Sequence, residues 1–406
     1  MRIQPITCLR PDPHHVAEFA ALPYDVFTNE EARHYVESHP RTFLAIDRPE
    51  TGFEQGQDPY APEVYAHAQQ VLRDRQLDQT LLRDEHPCFY LYEQTSGAHR
   101  QMGILGSIAC DDYLDGTLRR HELTLPAKEN DRVRHITTVR AQTGPVFVAY
   151  RDNLAINTIL DAARAADPIY DFVSEDGVRQ RVWRIAREVA VESLCVVFGT
   201  IGEAYIADGH HRAAAAVRIC EERRAQGREH DPADHFLAAL FPASQLRILP
   251  YDRVVADAGA LTEQELVSKL EAQGFACETP SQTPVEPSQK GCFGMYAFGS
   301  WRLLRWVGEQ VADPVASLDV SVLQDKVLDP VLGIHDPRTD DRISFVGGAE
   351  VGELASLAGS EGVAFRMYPT SMEEVMSVAD AGELMPPKST WFDPKLLSGL
   401  AIRRIW

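Results

Sequence analysis

The sequence has few of the features that mark secreted, membrane-bound or zinc-bound proteins. Its seven cysteines are scattered and form no C-x-x-C pair, which argues against a disulfide framework and a structural zinc site and favours a reducing compartment. No run approaches about 18 apolar residues, the length that a membrane-spanning helix needs. The N-terminal residues carry no long apolar core, so we expect a cytoplasmic protein without a membrane partner.

Positive charge is also scarce. The chain has 40 Lys and Arg residues against 60 Asp and Glu residues, which gives a formal net charge of -20. A protein that grips a phosphate backbone needs a basic surface. The composition therefore argues against nucleic acid as a partner and favours a small anion that is held locally.

Three common enzyme signatures are missing. The sequence contains no G-x-x-x-x-G-K-S/T, no G-x-G-x-x-G that opens a βαβ unit and no G-x-S-x-G. These absences argue against a P-loop enzyme, a nicotinamide enzyme and a hydrolase with a nucleophile elbow.

The 406 residues exceed the size of one comfortable hydrophobic core. We predict a larger part over 1–245 and a smaller C-terminal α/β part over 246–406, because the composition shifts near Pro242 to Pro250. Strand patterns, such as a hairpin over Cys88 to Cys110, alternate with helical spacing over Glu63 to Leu77. The predicted class is therefore α+β, with mixed sheets and packed helices.

The most informative stretch is A-D-G-H-H-R, Ala207 to Arg212. We predict short strands over Val196 to Phe198 and Ala204 to Ile206, followed by an alanine-rich helix. Because the first N–H groups of a helix lack internal partners, a turn that places cationic and imidazole groups there favours an anion. A simple N-cap and solvated first turn is the alternative. The residues assigned to this anion site are Asp208, His210, His211 and Arg212.

Two other segments are rich in charge and could complete the site. The stretch Arg119 to His135 is either a solvated loop before a surface helix or part of the site, and Met385 to Leu400 forms a lysine-rich arm stiffened by prolines. Many cations around a few carboxylates suit phosphoryl transfer with Mg²⁺ held by oxygen ligands. The candidate cations outside the turn are Arg119, Arg120, Lys128, Arg132, Lys388 and Lys395, and the candidate carboxylates are Asp25, Glu122, Glu129, Asp131 and Asp208.

Two other functions fit the same residues. A non-catalytic phosphate- or nucleotide-binding regulatory protein needs only the anion site. A metal-dependent hydrolase would pair His210 or His211 with His121 or His135, but adjacent helical histidines point about 100° apart and rarely bind one ion. A homo-oligomer is compatible with the sequence.

Five ordered motifs resemble the bacterial DUF1015 family. They are P-Y-D-V at Pro23 to Val26, R-H-E-L-T with K-E-N-D-R within Arg120 to Arg132, A-D-G-H-H-R at Ala207 to Arg212, L-D-V-S-V-L with L-G-I within Leu318 to Ile334, and M-P-P-K-S-T-W-F-D-P-K at Met385 to Lys395. The resemblance implies a ParB/sulfiredoxin-like core with large insertions. It also implies a kinase that phosphorylates free L-serine to O-phosphoserine, with pyrophosphate as the expected donor and a nucleotide as the alternative.

The resemblance also implies roles for individual residues. Asp208, His210, His211 and Arg212 would handle the donor phosphates, with Asp208 as the Mg²⁺ ligand. Glu122 is expected to be the general base, with Glu129 as the second choice. The remaining substrate-binding residues would be Asp25, Arg120, Lys128, Arg132, Lys388, Ser389, Thr390 and Lys395, the last four on an arm that folds back to the site.

Overall fold

The computed structural model describes residues 1–228, 230–309 and 311–406, and it divides into two compact units. The first unit comprises Met1–Leu246 and Pro394–Trp406, and the second comprises Arg247–Asp393. The sequence-based division assigned all of 246–406 to the C-terminal part. In the structure, the chain after Asp393 returns to the first unit, so the second unit is an insertion.

The first unit contains most of the strands. In chain order they are β1 Ile3–Gln4, β2 Cys8–Pro11, β3 Leu81–Arg83, β4 Phe89–Ser96, β5 His99–Ala109, β6 Leu118–Arg119, β7 Ala141–Gln142, β8 Val146–Tyr150, β9 Tyr170–Val173, β10 Arg179–Ile185, β11 Ala204–Asp208 and β12 His235–Pro242. The α-helices of this unit are α1 Val16–Phe19, α2 Asn29–Ser38, α3 Leu44–Asp47, α4 Pro62–Leu77, α5 Cys110–Leu114, α6 Pro126–Val139, α7 Leu154–Arg164, α8 Glu188–Gly199 and α9 His210–Ala225. Short 3-10 turns cover Tyr24–Val26, Pro49–Gly52, Pro232–Asp234 and Ala243–Gln245.

One large mixed sheet dominates this unit, in the order β6-β11-β8-β12-β5-β4-β10-β9, with β1 paired to β5. The β6–β11 and β8–β12 pairs are parallel, and the other pairs are antiparallel. β8 is buried along its whole length and β12 along all but its first residue, as expected for near-continuous apolar runs covered on both faces. The predicted hairpin over Cys88 to Cys110 is confirmed as β4 and β5.

The second unit has its own sheet. Its strands are β13 Arg247–Leu249, β14 Tyr251–Val255, β15 Phe275–Cys277, β16 Cys292–Ala297, β17 Ser300–Trp306, β18 Ile343–Gly347, β19 Val363–Arg366 and β20 Trp391–Asp393, and its helices are α10 Glu263–Ala272, α11 Asp319–Leu323, α12 Val351–Ala358 and α13 Met372–Asp380. Six strands pair in the order β15-β17-β16-β19-β14-β18, and β13 pairs with β20. A π-helical turn over Gln324–Leu328 follows α11.

The returning C-terminal segment is built into the first unit. Its strand, β21 Ile402–Arg404, lies between β2 and β7 in the four-stranded sheet β3-β2-β21-β7. Ile402 and Ile405 are fully buried, which explains why this segment belongs to the first unit. The combination of mixed sheets and packed helices confirms the predicted α+β class. None of the helices in the described ranges is long and apolar enough to cross a lipid bilayer.

The prediction of a strand over Val196 to Phe198 is wrong, because these residues lie in α8. Leu194 and Phe198, four residues apart, are fully buried, whereas Val189 and Val196, seven residues apart, are 72% and 69% exposed. This is the spacing of a helix with one buried face. The β-branched residues therefore gave a misleading local signal, which the packing of the helix overrides.

Candidate active site

The D-G-H-H-R motif forms a tight connection between a strand and a helix. β11 ends at Asp208 and α9 begins at His210, so Gly209 alone makes the turn, with φ at 90° in the left-handed region that glycine adopts without steric cost. The N-cap residue of α9 is Gly209, which has no side chain to cap the helix. Because the first N–H groups of a helix lack internal acceptors and lie at the positive end of its dipole, this turn is suited to an anion.

The helix is held in place by the core, as its alanine spacing predicts. Ala213, Ala216, Val217 and Cys220 of α9 all belong to the buried cluster that includes β8 and β12. A second small cluster joins Ala215 and Ile219 to Ile136 of α6. The N-terminus of α9 is therefore fixed by packing on two sides.

Asp208 stands between two cations. Its Oδ2 accepts a hydrogen bond from Lys395 Nζ at 3.2 Å, its Oδ1 accepts one from the Gly209 N–H at 2.6 Å, and Arg212 Nη2 lies 3.9 Å from Oδ1. Burial raises the pKa of Asp208, but Lys395 and Arg212 outweigh burial and hold the pKa well below its usual range. The carboxylate is therefore ionised, and its side chain stays 26% exposed.

Lys395 is positioned by a row of buried polar side chains, which we call the polar row: Tyr92 and Gln94 on β4, Gln101 on β5 and Gln180 on β10. Gln94 Nε2 donates to the carbonyl oxygen of Lys395 at 2.9 Å, and the Leu397 N–H donates to Tyr92 Oη at 3.4 Å. Gln94 and Tyr92 are fully buried, and they bond in turn to Gln101 at 2.9 Å and Gln180 at 2.7 Å. Since buried polar groups are costly unless they are paired, this row fixes the backbone that carries Lys395.

His210 connects the turn to the R-H-E-L-T motif. Its ring is buried and stacks edge-on against His121, with centroids 4.6 Å apart. Nε2 of His210 accepts from the His121 N–H at 3.5 Å, and Nδ1 lies 3.5 Å from Oε2 of Glu122. Burial lowers the pKa of His210 well below its usual range, and His121 lowers it further. We therefore assign a neutral ring with its proton on Nδ1, directed at the Glu122 carboxylate.

We expect the stability of the protein to fall between pH 7 and pH 4.5. Burial lowers the pKa of His121 to about 4, below the ordinary value near 6.5, so the unfolded chain takes up a proton first as the pH falls. The contribution of His121 to the free energy of unfolding is fully present above about pH 6.5 and is lost as the pH falls toward 4. At pH 4.5 this loss is about 2 to 3 kcal/mol. Urea unfolding at both pH values should show a smaller difference in His121→Phe than in the parent. The exposed His86→Asn is the control, and an equal pH dependence in all three proteins would contradict this assignment.

The other motif segments also meet in the first unit. The Leu125 N–H donates to Nε2 of His211 at 3.0 Å. Arg132, only 6% exposed, stacks on the Tyr24 ring of the P-Y-D-V motif at 4.3 Å. Arg132 and Arg212 line one cavity of about 20 Å³, which has room for about one water molecule. Three motifs that are distant in sequence thus share one small region.

The remaining residues predicted in this unit have less direct positions. Glu129 lies 3.4 Å from Thr124 Oγ1 and 3.6 Å from a nitrogen of Arg218. Arg120 is exposed and donates to Tyr113 Oη at 3.2 Å. Lys128, on the first turn of α6, and Asp25, in the 3-10 turn after Pro23, are exposed. Their proposed contacts with substrate stay predictions.

The other three arm residues lie in the second unit. Lys388 Nζ is 5.6 Å from the centre of the Tyr251 ring, and the Lys388 carbonyl oxygen accepts from Arg253 at 3.0 Å. Ser389 is buried, and its hydroxyl donates to the Pro386 carbonyl oxygen at 2.7 Å. Thr390 follows directly, just before β20. A role of Lys388, Ser389 and Thr390 in substrate binding stays a prediction.

Sequence reasoning missed Tyr92, Gln94 and Gln180. They lie on strands that read as ordinary alternating sequence. Gln94 contacts Lys395, 301 residues later, and Tyr92 contacts Leu397, while Gln180 acts through its bond to Tyr92. A weak signal exists, because glutamines at 94, 101 and 180 break otherwise buried strand faces. Buried polar side chains of this kind are uncommon unless they have fixed partners.

The residues present fit a magnesium ion only in part. Asp208 is ionised and partly exposed, so it can supply the hard oxygen ligand that Mg²⁺ prefers. Within the described residues, no group of three or more His, Cys, Asp or Glu side chains could hold a metal ion. An ion at Asp208 would therefore share its coordination with the oxygens of a bound phosphate, which is a common arrangement for Mg²⁺.

Comparison with known proteins gives one assignment. No curated protein matches the sequence. Structural similarity extends to a conserved hypothetical protein from Pyrococcus furiosus (12% identity, 73% of this chain and 94% of that chain, TM-score 0.35) and to a free serine kinase in complex with AMP (13%, 70% and 86%, TM-score 0.35). It also extends to C-terminally truncated SbnI from Staphylococcus aureus (12%, 74% and 87%, TM-score 0.36). The family model described as a protein of unknown function, DUF1015, matches residues 3–321. The expected membership is thereby confirmed, and the chain belongs to the DUF1015 family.

Proposed function

We propose that the protein is a Mg²⁺-dependent phosphotransferase that phosphorylates free L-serine, with pyrophosphate as the donor. The observation that carries the proposal is the ionised Asp208 beside Lys395 and Arg212, at a helix N-terminus whose N-cap residue is glycine. Phosphoryl transfer depends mainly on positioning the reactants and on stabilising the negative charge that is distributed over the phosphate oxygens. At this turn, cationic side chains and backbone N–H groups are directed at one point. The choice of serine and pyrophosphate follows from the motif resemblance.

The chain supplies a role for each group in the transfer. The Glu122 carboxylate accepts the proton of the serine hydroxyl, and that oxygen attacks the terminal phosphorus of pyrophosphate. The bond from that phosphorus to the bridging oxygen breaks, and inorganic phosphate leaves. Lys395, Arg212 and the N–H groups of α9 hold the phosphate oxygens, while the neutral His210 orients Glu122 through Nδ1. Mg²⁺, held by Asp208, would draw charge from the donor phosphates.

The test is a donor screen with purified protein. L-serine, Mg²⁺ and one of pyrophosphate, ATP or ADP are incubated in turn, and O-phosphoserine is measured by mass spectrometry. We expect product with pyrophosphate. Product only with ATP or ADP would change the donor, and no product with any donor would refute the serine assignment. Tight binding of a donor without turnover, measured by calorimetry, would favour the regulatory binding protein.

Replacing Gln94 by Leu tests whether the polar row positions Lys395. We expect kcat to fall about tenfold with a small change in KM, because an error of about 1 Å in a positioned charge costs up to about 100-fold. The informative control is the same substitution in a Lys395→Met background. If Gln94 acts through Lys395, the second substitution adds little there. Equal losses in both backgrounds would show that Gln94 serves the fold alone.

A further inference from the structure

The second unit contains a cleft that the proposed reaction does not use. Its volume is about 820 Å³, within the range of small-molecule sites. The walls come from the end of β17, the residues before β16, and α11 with the π-helical turn after it. α11 lies within the L-D-V-S-V-L motif, to which the phosphotransferase proposal assigns no role.

Asp319 places a buried negative charge in this cleft. The residue is 9% exposed, and both carboxylate oxygens lie 3.0 Å from the Gly291 N–H. Across residues 1–228, 230–309 and 311–406, no cationic side chain lies within ion-pair distance of it. Burial raises the pKa of Asp319 to about 6. The positive charge of Lys290 lowers this pKa only in part, because Lys290 is itself bound to Glu374. A buried carboxylate is costly unless its charge is compensated, and a bound cationic group would compensate it.

A positive charge faces the same cleft from the π-helical turn. Lys326 lines the cleft, and its side-chain nitrogen makes no hydrogen bond or ion pair with any described residue. The other two cations of the cleft are already paired, Lys290 with Glu374 at 2.5 Å and Arg305 with Glu278 at 3.1 Å. π-helical turns are rare and occur frequently at functional sites. Lys326 is therefore the cation that is available to a ligand.

The wall at the end of β17 carries a rigid aromatic ring, that of Trp306. A Cβ atom at Gly308 would lie 2.2 Å from Cζ2 of Trp306, and one at Gly274 would lie 3.2 Å from Cζ3. The Phe275 ring is centred 5.2 Å away. The indole thus rests against two glycine positions and another ring, which fixes it as an apolar surface.

We propose that this cleft binds a free α-amino acid with an apolar side chain. The ligand ammonium would bind Asp319, its carboxylate would bind Lys326, and its side chain would lie against Trp306. Glu309 and Asp325 also line the cleft, so the acidic lining would repel a nucleotide or sugar phosphate, which is a dianion, more strongly than an amino acid, which has no net charge. The inference is independent of the proposed phosphotransferase, because each of its residues lies in the second unit.

The experiment is a calorimetric screen of the full chain against individual L-amino acids at pH 8, with AMP and glucose 6-phosphate as non-amino-acid probes. We expect at least one apolar amino acid to bind. Asp319→Asn and Lys326→Met should each weaken binding about tenfold or more, because a hydrogen bond to a charged group contributes about 1.5 to 3 kcal/mol. The asparagine can still accept from the Gly291 N–H, so the fold is preserved. The exposed Glu353→Gln in α12 is the matched control.

Two further variants locate the signal. The change in tryptophan fluorescence on ligand binding should disappear in Trp306→Phe and persist in Asp208→Asn. An amino acid bound in the first unit would show the opposite pattern. Absence of binding by every amino acid would overturn the proposal. Binding that is unchanged in Asp319→Asn, or binding of AMP or glucose 6-phosphate alone, would overturn it as well.

Discussion

Replacing Asp208 by Asn is expected to lower kcat/KM for O-phosphoserine formation about 10³-fold. The Asn side chain can still accept a hydrogen bond from the Gly209 N–H, so the turn is expected to form. The negative charge between Lys395 and Arg212 is lost. The two cations would then lose the carboxylate that they share, and the donor phosphates would lose their expected Mg²⁺ ligand. Removing one preorganised group that acts on transition-state charge typically costs about 10² to 10³-fold, and Asp208 supports several such groups.

The control for this variant is Asp161→Asn on α7, which removes one exposed carboxylate from the same unit. The thermal unfolding midpoints of all three proteins show whether the turn has stayed intact. A loss of less than threefold in Asp208→Asn, with an unchanged midpoint, would remove Asp208 from the mechanism.

A double-mutant cycle with Lys395→Met separates two roles of Asp208. If the carboxylate mainly holds Lys395 in place, the double variant should be no slower than the slower single variant, because the two residues act as a pair. If Asp208 mainly binds Mg²⁺, the losses should add, and the Mg²⁺ concentration for half-maximal rate should rise in Asp208→Asn but not in Lys395→Met.

The local structure of the D-G-H-H-R turn could be predicted because it depends on residues that are close in sequence. A strand, one glycine at positive φ and an alanine-rich helix lie within about 20 residues, and each is governed by neighbours in sequence. The apolar spacing of Ala213, Ala216 and Cys220 predicted the buried face of α9 correctly. The hairpin β4–β5 was equally accessible, since its strands are joined by a short turn.

The distant residues that contact this turn were harder to predict. Lys395 and Asp208 are 187 residues apart, and their pairing depends on the return of the chain after an inserted unit. A single boundary divides a chain into two continuous segments, so the sequence-based division assigned β21 to the C-terminal part. The role of the buried polar row that includes Gln94 is even harder to predict, because those side chains contact the backbone of Lys395 and not the site itself.

Glu122 and Glu129 were both candidates for the general base, and the structure gives them different surroundings. Glu122 is 47% exposed, and its Oε2 lies 3.5 Å from the Nδ1 of a buried, neutral His210. Glu129 lies on α6 beside Thr124 and Arg218. The Arg218 guanidinium competes with a substrate hydroxyl for the oxygens of Glu129, whereas Glu122 faces a neutral ring.

We therefore expect Glu122→Gln to lower kcat about 10² to 10⁴-fold, the usual contribution of a positioned acid or base, with little change in KM for pyrophosphate. Gln keeps the shape of the side chain and can still accept from His210 Nδ1, so the loss reports on proton acceptance. Glu129→Gln, the matched substitution nearby, is expected to change kcat less than fivefold. The reverse pattern would make Glu129 the base. If both variants kept full activity, the serine proton would have to leave by another route, and the alignment of Glu122 by His210 would have no catalytic meaning.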